Sequence, residues 1–146
     1  VTIIAVKDGV MCADSEMDAG SRSYPVMRPK IARGPGGLAG ATGYSSDCVA
    51  FCDWFAAGED PEQRPAFAGT GDDELQALVL RPGGTVWRIG AKELPFQIPA
   101  TYAIGGGYAW AFCEGLMVGG KSCEKAVKLT IKHFRSVGGK VQVERL

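Results

Sequence analysis

Two apolar runs near the start of the chain, Ile3-Ile4-Ala5-Val6 and Val10-Met11-Cys12-Ala13, face each other across Asp8-Gly9. β-Branched residues dominate the first run, and Asp-Gly tolerates the positive φ angles of a two-residue turn. The first fifteen residues are therefore predicted to form a β-hairpin in a buried sheet. Thr2 lies at its open end, and Asp14-Ser15 ends the returning strand. A terminus frays unless something ties it down. Here the sheet itself is predicted to hold it.

The rest of the chain is read against that hairpin. Residues 16–29 form a polar excursion with Gly20, Pro25 and Pro29, followed by a short strand at 30–32 and a turn at 34–37. Residues 38–42 form a small-residue strand ending at Gly43. Ser45, Ser46 and Asp47 are N-cap candidates for a helix over 47–57, which places Cys48, Phe51, Cys52 and Phe55 on one face. A Pro/Gly-rich linker covers 58–73, and 74–80 and 85–89 flank a turn as a second hairpin. Pro95 and Pro99 make 93–99 an edge strand. A strand at 101–104, a glycine run, a helix over 108–118, a helix capped by Ser122 and a strand at 140–144 complete the order. Strands adjacent in sequence, with helices grouped in pairs, predict antiparallel sheets covered by helices: one α+β domain over 1–146.

Composition narrows the function. Sixteen basic and sixteen acidic residues cancel, which removes the electrostatic case for nucleic acid or an anionic membrane surface. No apolar run is long enough to span a bilayer, and no secretory signal opens the sequence. The five cysteines, an odd number set in apolar patterns, read as reduced and buried, which suits the cytoplasm. His133 is the only histidine, so a zinc site or a histidine-based triad has little to work with. Gly105-Gly106-Gly107 lacks the Gly-Lys-Ser/Thr ending of a phosphate loop. Trp54/Phe55 and Trp110/Phe112 read as core or subunit interface.

A nucleophile that needs no histidine fits this inventory. A threonine at a mature N-terminus carries a hydroxyl and an α-amino group of pKa about 8, which can serve as its base. A lysine lowers the amine pKa and stabilises charge on the hydroxyl oxygen, and a carboxylate holds the lysine. Thr2, Lys30 and Asp14 are the candidates. Strand alternation puts Asp14 and Thr2 on opposite faces, so Asp14 is expected to position Lys30 rather than touch Thr2.

The opening T-I-I-A-V-K-D-G-V-M-C-A-D-S resembles the N-terminal hairpin of proteasome β-type peptidases, in particular the compact bacterial form often called HslV and its phage-borne relatives. Ala13-Asp14-Ser15 and Lys30-Ile31 are similar to the family's aspartate and lysine regions. Residues 39–43 followed by Asp47 resemble its A-G-x-x-G…D, residues 103–109 its A-I-G-S-G loop, and residues 137–141 its small-residue-G-G-x-V motif. The resemblance implies an αββα four-layer sandwich of the N-terminal nucleophile hydrolase class and a threonine-type endopeptidase in a homo-oligomeric ring that takes unfolded protein or peptide. It implies catalytic roles for Thr2, Asp14, Lys30 and the Gly40 N–H, the last in the oxyanion hole. It puts Ser15 and Gly106 in the active-site loops. It also implies an alkali cation, sodium or potassium, on backbone carbonyls of Ile131, Phe134 and Val137.

Four departures qualify the expectation. Val1 has no nucleophilic atom, so the alignment starts on Thr2 and requires removal of residue 1. Gly106 stands where the family has a serine, and Phe134 where eukaryote-like members have an aspartate. The 58–73 linker leaves no room for the second long helix with which larger members build a double ring and dock an ATPase unfoldase, so that partner is the least supported. The alternative is a catalytically inactive proteasome-like assembly protein, which Val1 and Gly106 favour.

Overall fold

The computed structural model describes residues 2–19, 22–25 and 28–146; Val1, on which the nucleophile reading turns, lies outside them. The described residues include eleven strands and three α-helices. Strands β1 (Ile3–Lys7) and β2 (Val10–Ala13) form the expected hairpin, with Asp8 at φ 52° and Gly9 at φ 74° in its turn. The residues read as a polar excursion contain a second, separate hairpin, β3 (Glu16–Ala19) and β4 (Arg22–Pro25). Its first strand alternates polar and apolar residues, Glu16-Met17-Asp18-Ala19, but its second, Arg22-Ser23-Tyr24-Pro25, does not. Next come β5 (Ile31–Gly34), β6 (Gly37–Thr42), α1 (Ser45–Ala56), β7 (Gln76–Leu80), β8 (Val86–Gly90), β9 (Phe96–Ile98) and β10 (Tyr102–Gly105). Helices α2 (Ala109–Val118) and α3 (Cys123–His133) and strand β11 (Gln142–Arg145) close the chain.

Two antiparallel sheets stack. One has the order β10-β1-β2-β11, the other β5-β6-β7-β8-β9, with β9 at the edge as its prolines predict. Three apolar layers separate four layers of secondary structure. Ile3, Ala5 and Cys12 face α2 and α3 through Cys113, Met117, Ala126 and Val127. Ile4, Val6 and Met11 face the second sheet through Leu38, Leu78 and Leu80. Ala39, Ala41, Ala77 and Val79 turn the other way, onto Phe51 and Phe55 of α1. β1 is thus covered on both faces, which is why its sequence runs apolar instead of alternating. The molecule is an α+β sandwich in αββα order.

Several local interactions differ from the sequence-based expectation. Helix α1 starts at Ser45, with Tyr44 at the N-cap and no side-chain cap bond. Asp47, expected near the cap, is the buried third residue of the helix and accepts from the N–H groups of Ala68 (3.0 Å) and Gly69 (2.8 Å). Its charge still sits in the first helical turn, where the helix dipole favours it, while tying down the 58–73 segment. Ser122 does cap α3, accepting from the Lys125 N–H at 3.1 Å. Lys7 extends to the C-terminal end of α2 and donates to the Met117 and Lys121 carbonyls, each at 2.8 Å. A cation near the carbonyls at the C-terminal end of a helix sits at the favourable end of its dipole.

Gly40 is a packing residue. It lies inside β6, in register with Ile31 on one side and Leu78 on the other. A Cβ there would come within 2.8 Å of Ile4 Cγ2 across the sheet interface. Gly40→Val is expected to destabilise the fold by about 1–3 kcal/mol, as overpacking does. Denaturant titration against the parent protein measures it.

Candidate active site

The open end of the first hairpin gathers the candidate residues. In a regular ladder the Ile3 N–H would go to the Asp14 carbonyl, since the Asp14 N–H donates to the Ile3 carbonyl at 3.4 Å. Instead the Ile3 N–H donates to the Asp14 carboxylate, Oδ1, at 3.1 Å. The side chain has taken the place of its own carbonyl, so β2 leaves the ladder here. That bend frees Asp14 from strict alternation.

Asp14 is fully buried. Besides the Ile3 N–H, its Oδ1 accepts from Lys30 Nζ at 2.8 Å and its Oδ2 from the Gly138 N–H at 3.3 Å. Lys30, largely enclosed, donates also to the Glu16 carbonyl at 2.5 Å and to Thr2 Oγ1 at 3.2 Å. The ammonium therefore bridges the buried carboxylate and the threonine hydroxyl, and no direct Thr2–Asp14 bond is recorded. Charge-assisted bonds of this kind are the stronger ones, and a buried pair is held by its extra hydrogen bonds.

The backbone of Lys30 is fixed just as closely. Its N–H donates to Gln142 Oε1 of β11 at 2.7 Å, and its carbonyl lies 3.9 Å from Cys52 Sγ of α1. Arg28, two residues earlier, pairs with Asp53 of the same helix at 2.5 Å. Both sheets and α1 thus converge on one lysine.

Thr2 is placed by β10. Its carbonyl accepts from the Gly106 N–H at 3.3 Å. Gly105 admits no side chain: a Cβ would meet that carbonyl at 2.2 Å. Ser15 donates its N–H to the Gly138 carbonyl at 3.1 Å and packs on Gly139. Gly105, Gly138 and Gln142 were not singled out from sequence as site residues. Residues 103–109 and 137–141, which resemble family motifs, signal the two glycines, and nothing in the sequence signals Gln142.

Gly40 is not brought to the site. A residue between two paired strands points its N–H at one of them, so the Gly40 N–H belongs to the sheet. Extending the Ile31–Gly40 register by one puts Ala41 beside Lys30. The chain leaves the ladder at Gly43, φ 129°, where a Cβ would press on the Asp73 and Glu74 carbonyls at 2.9 Å. Ile131, Phe134 and Val137 fall in the last turn of α3 and the loop after it. Their hard carbonyl oxygens, at a helix end where carbonyls lack intrahelical partners, suit an alkali cation in kind.

The thiols point away from cysteine chemistry. Burial is the main cause that pushes Cys48 up to about 12, and Cys52 and Cys113 up to about 11. Cys123 is raised too, first by its hydrogen bond with Cys12 and then by burial. Such groups are thiols, not nucleophilic thiolates, at neutral pH. They also set a pH dependence. Unfolded thiols ionise from about pH 9 while the folded ones stay protonated, so the unfolded state binds fewer protons and stability falls as pH rises. Melting temperature is expected to drop between pH 9 and 11 more steeply than in a Cys48→Ala/Cys52→Ala variant.

No known family model matches the chain, and no curated protein matches it. Among solved structures, eukaryotic HslV from Trypanosoma brucei is similar over 99% of this chain and 98% of that one, with a TM-score of 0.63 and 18% identity. At that identity the likeness shows the fold: the four-layer αββα sandwich is shared with HslV. Among the described residues, no helix is long and apolar enough to cross a membrane.

Proposed function

We propose that the chain is a threonine-type peptidase subunit of a ring protease that hydrolyses unfolded protein. One observation carries this: Lys30 Nζ lies 3.2 Å from Thr2 Oγ1 while held 2.8 Å from the buried Asp14 carboxylate. A lone strand-end threonine has no use for an enclosed, carboxylate-held ammonium on its hydroxyl.

The mechanism follows from those positions. With residue 1 removed, the Thr2 amine takes the Oγ proton as Oγ attacks the substrate carbonyl. The Lys30 charge stabilises the developing alkoxide and disfavours a second proton on the amine. N–H groups at the end of β6, beyond Gly40, receive the oxyanion. The amine returns its proton to the departing peptide amine, leaving an ester on Oγ. Water then attacks the ester, and Oγ regains its hydrogen. Gly106 supplies a backbone N–H to Thr2 but no hydroxyl, so protons move through water where a serine would otherwise stand. A sodium or potassium ion on the Ile131, Phe134 and Val137 carbonyls would steady the loop that carries Gly138, the Asp14 donor. A homo-oligomeric ring would enclose the sites. An ATPase unfoldase is the remaining partner in this scheme.

The second reading, an inactive assembly protein, draws on Gly106. Turnover of a fluorogenic peptide separates the two. The parent protein is expected to cleave it and Thr2→Ala to fall by at least about 10³-fold, since loss of a nucleophile removes the covalent route. Equal rates would rule out Thr2 chemistry.

A further inference from the structure

Two of the five thiols stand beside the site without a role in it. Cys48 and Cys52 lie one turn apart on α1 and belong to one cluster with Phe51 and Phe55. Side chains at that spacing share a helix face, about 5–6 Å apart at Cβ. Cys52 is buried, and its thiol donates to the Lys30 carbonyl at 3.9 Å. Cys48 is half-buried and reachable from solvent. The two are near enough for a charge on Cys52 to oppose one on Cys48. The other three thiols, Cys12, Cys113 and Cys123, are sealed between the first sheet and helices α2 and α3.

The donor set selects the ligand. Sulfur is a soft donor, suited to Cu(I) and not to calcium or magnesium. A structural zinc ion fills four positions. Among the described residues, no third thiol, imidazole or carboxylate joins the pair. Asp47, next in sequence, has its two oxygens committed to the Ala68 and Gly69 N–H groups at 3.0 and 2.8 Å. Two sulfurs alone suit an ion content with two ligands in line, which is the habit of Cu(I).

We propose that Cys48 and Cys52 bind one Cu(I) ion as a two-sulfur bridge, and that loading it withdraws Cys52 from the Lys30 carbonyl. Both thiols carry their protons at neutral pH, so the ion displaces one from each. Cu(I) and two thiols give a singly negative bis(thiolate) complex and two protons, and copper keeps its oxidation state. Of the nearby charges, Asp47 opposes that complex and Lys30 favours it. The segment that carries Lys30 rests on the same helix, where Arg28 pairs with Asp53 at 2.5 Å. Turning Cys52 toward the metal therefore acts on the backbone of the residue whose Nζ holds Thr2 Oγ1 and Asp14 Oδ1. The binding claim stands on the thiols alone, and only the effect on turnover rests on the hydrolase reading.

The test titrates the full chain, with oxygen excluded, into the purple Cu(I)–bicinchoninate complex. Bleaching that corresponds to one Cu(I) per chain is expected. Cys48→Ser and Cys52→Ser keep the side-chain size and exchange a soft donor for a hard one, so each is expected to lose the copper. Cys48→Ser, at the half-buried position, is the variant least able to disturb the fold. Hydrogen exchange at the amides of residues 30–32 is expected to quicken on loading. Copper kept by the folded Cys48→Ser/Cys52→Ser protein, which would put it on the buried thiols, would overturn the proposal. So would copper kept by either single variant, no bleaching by the parent, or a zinc ion held as firmly as copper. Unchanged exchange at 30–32 would overturn the link to Lys30. Loading is also expected to slow peptide turnover by about tenfold or more, since a small misplacement of a catalytic group costs up to about 10²-fold. Removal of copper by bathocuproine disulfonate is expected to restore it, and the double variant is expected to ignore copper. Equal turnover with and without copper would sink the effect on catalysis. A parent that cleaves nothing before copper is added fails as a hydrolase, and binding and exchange are read without turnover.

Discussion

Lys30→Ala is expected to lower peptide turnover by about 10²–10⁴-fold, the range that proton-handling groups contribute, and to destabilise the fold as well. The stability loss follows from burial. Asp14 is fully enclosed, and Lys30 is its one cationic partner among the described residues. Breaking a buried pair from one side typically costs about 3–5 kcal/mol. The Ile3 and Gly138 N–H groups still serve the carboxylate, which favours the lower end. For a chain of this size about 3 kcal/mol corresponds to a fall of roughly 10 °C in melting temperature. Lys30→Met keeps the stem and removes the charge, so it isolates electrostatics from packing. Turnover lost with an unchanged melting curve would mean that the pair is not buried as described.

Asp14→Asn is expected to be nearly as damaging, for a different reason. The carboxylate accepts three donors: the Ile3 N–H and Lys30 Nζ on Oδ1, and the Gly138 N–H on Oδ2. An asparagine of the same shape offers one acceptor oxygen and two donors. If its oxygen keeps Ile3, its amide faces the Gly138 N–H. If it turns over, it faces Ile3 and Lys30. Either way a buried donor loses its acceptor, at about 1–3 kcal/mol, and the ammonium loses its counter-charge. Faster hydrogen exchange at the Gly138 and Ile3 amides, with turnover reduced at least about 10²-fold, is the expected signature. The combined Lys30→Met/Asp14→Asn variant should be less destabilised than the sum of its parts, because the two share one interaction. Strict additivity would show that the groups do not act together.

These effects rest on a site that was only partly legible in the sequence. The hairpin was legible because Asp8-Gly9 names its turn and the flanking runs have no polar face. Thr2, Asp14 and Lys30 were legible as residue types suited to one another, and the antiparallel sheets follow from strand order. The β3–β4 hairpin was not, since only its first strand alternates polar and apolar residues and Gly20 and Pro25 read as breakers. Gly40 misled because a glycine required for close packing on Ile4 is written the same way as one required for an exposed N–H. Gly105, Gly138 and Gln142 act through backbone groups or one amide oxygen, so their roles appear only when the sheets are assembled. The bend that brings Asp14 to Lys30 was equally hidden. It depends on a carboxylate replacing its own carbonyl in the ladder, which no spacing encodes.

The direct test of the central claim is mass spectrometry of the protein after reaction with a peptide β-lactone, which acylates an activated hydroxyl. The account predicts one acyl group per chain, mapped to a Thr2 freed of residue 1, and none on Thr2→Ala. An unmodified protein, or an adduct carried equally by Thr2→Ala, would contradict it.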